Sequence, residues 1–357
     1  MKPVNTFSKK TTLADVARAA GVSRAVAGHV LLGSGSGVVR VSGAKRARIE
    51  ELAAEMSYAP NRFAQGLRGI SSRTFAVLVD SLNTPVMSNR LAALEIEAAK
   101  AGYRLLVGQC HENKTSLPDF AADFEGRAVD AVLCLFDLAP DRDRRFVSAF
   151  KKKGNIVFHA KPAWSGGCAV RIDTDEAVRL CVDHLLDIGR DSLALALWNE
   201  KEDGLMAARR EAFLRAVSPS RTGRACRALV WDARSPSIAP SREKILEGIE
   251  KMVRKGRVNA ILASNDIWAL HFLVELEKAG IRVPGDVAVV GYDNLDIGAI
   301  INPSLTTIDQ SHAEYARRAV AILLALARGE LLSKADRVAT VNPQLVVRGS
   351  TIQAARE

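Results

Sequence analysis

The chain has 357 residues, 48% of them hydrophobic and 25% charged, with 50 Lys and Arg against 40 Asp and Glu and a formal net charge of +10. That length exceeds what one core ordinarily serves, so two or three folding units are expected. No uninterrupted apolar run reaches the ~18 residues of a membrane span, and the basic, polar N-terminus carries no apolar signal core, so a cytoplasmic protein without membrane contact is expected. Five cysteines (Cys110, Cys134, Cys168, Cys181 and Cys226) show no C-x-x-C pair and no His at metal-ligand spacing. Reduced, mostly buried thiols are expected, with neither metal nor cofactor.

Residues 11–33 read as two short helices broken at Ala20-Gly21-Val22. Thr12 is a good N-cap, and Leu13, Val16, Ala17 and Ala20 recur at helical spacing. Gly21 supplies a left-handed turn position. Ser23 caps the second helix, in which Val26, Val30 and Leu31 turn inward while Arg24, Ala25, Gly28 and His29 face out. A helix-turn-helix lays such a second helix in the major groove with its N-terminal residues at base edges; an ordinary αα-hairpin on a core shows the same local pattern. Charge separates the two readings. Residues 1–73 hold twelve Lys or Arg against four acids, leaving 38 basic and 36 acidic residues for the rest of the chain. A basic head on a nearly neutral body is what phosphate neutralisation requires.

After the Gly33–Gly37 connector, Ser42 opens a third helix through Ile49, Leu52, Ala53 and Met56, which Tyr58-Ala59-Pro60 stops. Asn61–Gly69 is too short to be a stable helix alone. It is read either as a plain linker or as a segment that folds when two copies pair on DNA. In the second reading Leu67 wedges into the minor groove, with Arg62 and Gln65 near the backbone. The expected divisions are a head at 1–59, a hinge helix and linker at 60–72, and a core at 73–357.

From Arg73 onward strands and helices alternate. Strands are expected at 75–79, 104–107, 131–136 and 156–158, with helices near 88–101, 117–126 and 141–152. A second set after about residue 162 runs through helices 175–186, 205–216, 241–254 and 266–279 and strands 193–197, 228–231, 260–263 and 287–290. Two layered α/β units with right-handed crossovers follow from such a string. Ligands bind beyond the carboxyl ends of strands in such sheets. Asp80-Ser81, Asn265-Asp266 and Tyr292-Asp293 stand at those ends.

The motifs TLADVARAAGVS (12–23), SYAPNRFAQGLRG (57–69), AILASNDIWAL (260–270), VPGDVAVVGYDN (283–294), PSLTTIDQ (303–310) and PQLVVRGST (343–351) together resemble the lactose-repressor/galactose-repressor family of bacterial transcription regulators, nearly end to end. The resemblance implies an all-α N-terminal helix-turn-helix head plus an α/β two-lobed periplasmic-binding-protein-like core. It further implies a nucleoid-associated homodimer or dimer of dimers reading pseudo-palindromic operator DNA, with a small-molecule effector between the core lobes changing DNA affinity. Thr12, Ser23, Arg24, Ala25, Gly28 and His29 stand where the family contacts DNA, with Tyr58, Asn61, Ala64 and Leu67 continuing into the hinge. Arg209 occupies the effector-binding Arg position, and Asn265, Asp266 and Asp293 match pocket polar groups. Asp80, Asp173 and Trp231 complete the candidate pocket. Asp266 and Asp173 equally suit helix N-caps, and Trp231 either stacks at the cleft mouth or fills the lobe interface.

Three departures stand out. Val26-Ala27-Gly28-His29 replaces a usual Thr-Val-Ser-Arg, which removes polar donors and weakens the helix at Gly28 by up to ~1 kcal/mol, so an atypical operator is expected. Val86-Met87 replaces a pair of aromatics, and Ala160, between His159 and Lys161, replaces a common Asp. The effector is therefore expected to be a sugar, or a sugar acid or sugar phosphate. The six histidines form no metal spacing, and neither a Gly-x-Ser-x-Gly elbow nor a Gly-rich phosphate loop is present, so an α/β enzyme is the weaker reading. A solute-binding protein shares such a core but not a basic helix-turn-helix.

Overall fold

A computed structural model of the chain describes residues 11–32, 40–58, 71–110, 117, 120, 124, 129–136, 138, 143–198, 204–223, 225–233 and 239–352. The chain forms two compact units, Met1–Ser72 and Arg73–Glu357. No helix among the described residues is long and apolar enough to cross a membrane. All five cysteines are free, four of them buried and Cys226 half-buried.

The first unit holds α1 (Leu13–Ala19), α2 (Arg24–Leu32) and α3 (Gly43–Glu55). Thr12 closes a capping box on α1: its Oγ1 accepts from the Asp15 amide at 3.3 Å, and its own amide donates to Asp15 Oδ2 at 3.0 Å. The chain turns at Gly21, whose φ of 62° only glycine adopts without strain. Ser23 Oγ then accepts from the Val26 amide at 3.3 Å, and Ser42 Oγ from the Lys45 amide at 3.4 Å. Val16, Val30, Ile49 and Ala53 form the small core, with Val22, Val26, Leu31 and Met56 against it.

The second unit begins with β1 (Thr74–Val79), α4 (Pro85–Lys100), β2 (Arg104–Gln109), β3 (Ala131–Cys134), α5 (Arg144–Lys153), β4 (Ile156–His159) and β5 (Cys168–Ile172). It continues with α6 (Thr174–Asp187), β6 (Ser192–Leu197), α7 (Leu205–Ala216), α8 (Pro219–Thr222), β7 (Arg227–Asp232) and α9 (Arg242–Ile249), which runs on as a π-helical stretch, Glu250–Lys255. The remainder is β8 (Ala260–Ala263), α10 (Asp266–Lys278), β9 (Ala288–Val290), α11 (Ile297–Ile300), β10 (Thr307–Asp309), α12 (His312–Ala327), β11 (Val338–Val341) and β12 (Gln344–Val346).

Two parallel sheets organise this unit, in the orders β11-β5-β4-β3-β1-β2 and β7-β6-β8-β9, and β10 pairs antiparallel with β12. Central strands such as Ala131–Cys134 and Ala260–Ala263 are buried throughout, as strands covered by helices on both faces must be. In the first lobe α4 and α12 cover one face of the sheet, through Leu94, Ala98, Tyr315 and Ala319, and α5 covers the other through Phe146 and Phe150. In the second lobe α6 and α7 cover one face, and α9 and α10 the other.

The lobes do not part after residue 162, as the order of strands and helices suggests. Strand β5 pairs with β4 in the first sheet, and α12 and β11 return to that lobe from near the C-terminal end. The chain therefore passes between lobes three times, after Ile172, at Gln310-Ser311 and after Val341. The passing segments bond to one another: the Asp173 amide donates to the Val341 carbonyl at 3.0 Å and Ser311 Oγ to the Asn342 carbonyl at 3.2 Å. Periodicity shows that a strand exists but not which sheet it joins, because pairing across this much sequence is decided by tertiary packing.

Candidate functional site

In the first unit, Ser23, Arg24 and Ala25 are exposed at the start of α2, and Thr12 is exposed at the start of α1. Gly28 is buried, contrary to its expected outward position. It has no side chain to reach past its neighbours, and Ala27 and Val30 beside it belong to the buried side of the same helix. His29 is half-buried, with Nδ1 enclosed and without a partner. Tyr58 packs half-buried against the small core, and burial pushes its hydroxyl pKa up against the pull of Arg24. Asn61, Ala64 and Leu67 lie outside the described residues.

In the second unit the strand ends do bring polar groups together, but several are held by their own chain. Asp173 Oδ1 caps α6 by accepting from the Glu176 amide at 3.0 Å, and Asn265 Oδ1 caps α10 by accepting from the Trp268 amide at 2.8 Å. Asp266 is fully buried with both oxygens engaged, Oδ2 accepting from the Leu295 amide at 2.7 Å and Oδ1 from Thr307 Oγ1 at 2.6 Å. Trp231 is buried among Trp268 and Phe272, with ring centroids 5.9 and 6.1 Å away, on the sheet face covered by α9 and α10. The indole thus serves the core of the second lobe in this structure rather than stacking at the cleft mouth.

What remains is a buried, charged cluster. Arg90 on α4 donates through Nη2 to Gln310 Oε1 at 2.6 Å, and Gln310 Nε2 donates to Asp293 Oδ1 at 2.5 Å. This relay joins a first-lobe helix to the turn after β9 by way of a residue on an interlobe passage. The Arg90 guanidinium lies 4.6 Å from the centre of the Tyr315 ring. On the other side Arg209, from α7, donates through Nη1 to the Ser264 carbonyl and stacks on Tyr292, with 3.7 Å from guanidinium carbon to ring centre. His159 Nδ1 bonds the Tyr315 hydroxyl at 3.0 Å. Asp80 Oδ1, Ser264 Oγ, the Nε of each arginine and both ring nitrogens of His312 are enclosed without partners.

Electrostatics follow from this burial. Desolvation pushes the Asp293 carboxyl up to about 7 against the pull of Arg209. Desolvation, with Arg90 and Arg209 nearby, holds His159 down to about 3, and His312 is lowered to about 4 by burial and by Arg90. Both imidazoles are therefore neutral near pH 7, and neither balances a ligand's charge.

Two family models match the chain, one for bacterial regulatory proteins of the lacI family over residues 12–61 and one for a periplasmic binding protein-like domain over residues 182–351. Together they mark a lacI-family helix-turn-helix region joined to a periplasmic-binding-protein-like domain.

With these two domains it is a DNA-binding transcriptional regulator with an effector-binding core. It is similar to the HTH-type transcriptional repressor PurR of Photobacterium profundum, at 25% identity over 353 residues, covering 95% of this chain and 98% of the relative. It is also similar to the HTH-type transcriptional repressor CytR of Escherichia coli (strain K12), at 26% identity over 348 residues, covering 95% and 96%. Both relatives are repressors, in keeping with a regulator rather than an enzyme. A structure of the lac repressor dimer bound to operator and the anti-inducer ONPF shares the fold, with a TM-score of 0.79 at 24% identity over 96% of this chain and 100% of that one.

Sequence reasoning missed Arg90, Gln310, Tyr315 and His312 as members of the cluster. A signal for Arg90 was present: with Leu94 and Ala98 it forms the buried stripe of α4, and a cation on such a stripe is rarely enclosed without a partner.

Proposed function

We propose that this LacI-family protein is a sequence-specific repressor whose affinity for operator DNA is set by a small molecule, a sugar or an acidic or phosphorylated sugar, held between the core lobes. In this reading residues 1–59 are the DNA head, 60–72 a hinge helix and linker, and 73–357 the core that binds effector and dimerises. Two copies then present two heads to the half-sites of a pseudo-palindrome, on the nucleoid in the cytoplasm. Thr12, Ser23, Arg24, Ala25 and His29 contact DNA, with Tyr58, Asn61, Ala64 and Leu67 extending the contact into the hinge. Gly28 contributes at most its backbone. In the core Arg209 and Asp293 face the ligand with Asp80, while Asp173, Asn265 and Asp266 shape the strand ends.

The observation that carries this reading is the pairing of an exposed, basic helix-turn-helix with a separate two-lobed unit whose facing ends enclose partnerless polar atoms. Selection of binding sites from randomised duplex DNA, followed by salt titration, tests it. A pseudo-palindromic consensus whose binding weakens steeply with salt is expected. Arg24→Ala should cost ~1–3 kcal/mol and relax preference at one base pair of each half-site. Recovery of no consensus would overturn sequence-specific reading, and equal weakening on all sequences would reduce Arg24 to a phosphate contact.

A further inference from the structure

Arg90 and Arg209 are each 4% exposed, and neither forms an ion pair among the described residues. The carboxyl groups that share their surroundings offset their charge only in part. Asp266 is saturated by Leu295 and Thr307, and Asp293 is bonded to Gln310 in an environment that favours its neutral form. Two enclosed guanidiniums with at most one partly ionised carboxyl between them are costly, and a buried cation is normally paired. Burial pushes the Arg90 pKa down, and the opposing pull of Tyr315, Asp293 and Tyr292 does not restore it. Each guanidinium rests one face on a tyrosine ring, Tyr315 or Tyr292, and keeps an Nε proton that nothing in the protein accepts. A planar fork fixed by stacking, with an unused donor, is the arrangement that receives two oxygens of an anion.

We propose that the ligand of the core carries an anionic oxygen group, a carboxylate or a phosphate, seated against Arg90 and Arg209. This rests on the reading of the core as effector-binding and narrows it by excluding neutral sugars as the principal ligand. A neutral hydroxyl accepts a hydrogen bond from either arginine but supplies no counter-charge, so it leaves the electrostatic cost in place. His312, beside Arg90 with both ring nitrogens enclosed and partnerless, supplies one donor and one acceptor for the hydroxyl-bearing remainder of the molecule.

The test is calorimetric titration and thermal unfolding of the full chain at fixed ionic strength with gluconate, glucose 6-phosphate, inorganic phosphate and glucose, in wild type, Arg90→Met and Arg209→Met. At least one anion should bind and raise the unfolding temperature. Gluconate alone assigns a carboxylate, and glucose 6-phosphate with phosphate assigns a phosphate. Arg90→Met should weaken that binding roughly tenfold or more, the range of a charge-assisted hydrogen bond, read against the unfolding temperature of the same variant without ligand. If Arg90→Met does not fold, Arg90→Gln gives the same readout. Binding of glucose alone overturns the inference while leaving the effector reading intact. Absence of any anion effect overturns it, as does an anion effect in both arginine variants as large as in wild type, which would place the anion on the basic head. Arg90-dependent anion binding that leaves DNA affinity unchanged upholds the inference and counts against the effector reading instead.

Discussion

Asp293 is a buried carboxyl held between an amide from Gln310 and the field of Arg209, and the balance places its pKa at about 7. Its folded value lies above the unfolded one, so the folded state binds the extra proton between about pH 4 and 7. Its contribution to stability is fully present below that window and is lost as pH rises through it. His159 and His312 oppose this trend, since their folded values lie below the unfolded ones and their contributions are lost as pH falls below about 6.5. The clean comparison is wild type against Asp293→Asn. The unfolding temperature of wild type relative to the variant should rise as pH is lowered from 7.5 to 5, and a difference independent of pH would contradict the assigned burial. At this scale much of the site was legible as candidates and little of it as roles. Asp173, Asn265 and Asp266 read equally as caps or ligands, because an Asx residue at a strand end before a helix satisfies both patterns. Only the partner amides of Glu176, Trp268 and Leu295 separate the two, and their positions are tertiary facts.

Among the elements, α2 depends on a single side-chain cap. Ser23→Ala should cost the head ~1 kcal/mol, seen as faster amide exchange across α2 with exchange in the core sheets unchanged. No change in α2 exchange would show that packing on Val16 and Ile49 already fixes the helix. In the second lobe α9 crosses Trp231 at Gly248, where an added Cβ would lie 2.6 Å from the indole. Gly248→Ala should therefore destabilise the core by roughly 1–3 kcal/mol in thermal unfolding, and a neutral effect would mean that the indole shifts freely. Strands such as Ala260–Ala263 and helices such as Leu205–Ala216 were readable to the residue, since apolar runs and capped amphipathic segments mark them locally. Strand β5 and everything beyond β9, including α12, were not assigned. The Cys168–Ile172 stretch is short and ends in Arg171-Ile172, so it shows no clear period of its own.

For the whole molecule, the interlobe relay from Arg90 through Gln310 to Asp293 matters more than any single contact, because Gln310 sits on a chain passage between the lobes. Gln310→Leu leaves a guanidinium and a carboxyl without their shared partner. It should cost roughly 2–5 kcal/mol and open the lobes, read as a larger radius of gyration in small-angle scattering of the ligand-free protein. An unchanged radius with unchanged stability would show that the relay does not hold the lobes together. The division of charge also acts at this scale, since eight of the ten net positive charges fall in residues 1–73. DNA affinity should therefore reside in the head and regulation in the core. The measurement that tests the central claim most directly is genome-wide DNA occupancy of the tagged protein in its own cell, with a Leu67→Ala variant beside it. The account expects sharp peaks over a pseudo-palindrome for the wild type and markedly weaker peaks at the same sites for the variant. Diffuse or absent occupancy by the wild type would contradict it, and would leave the core as a ligand binder acting without sequence-specific DNA reading.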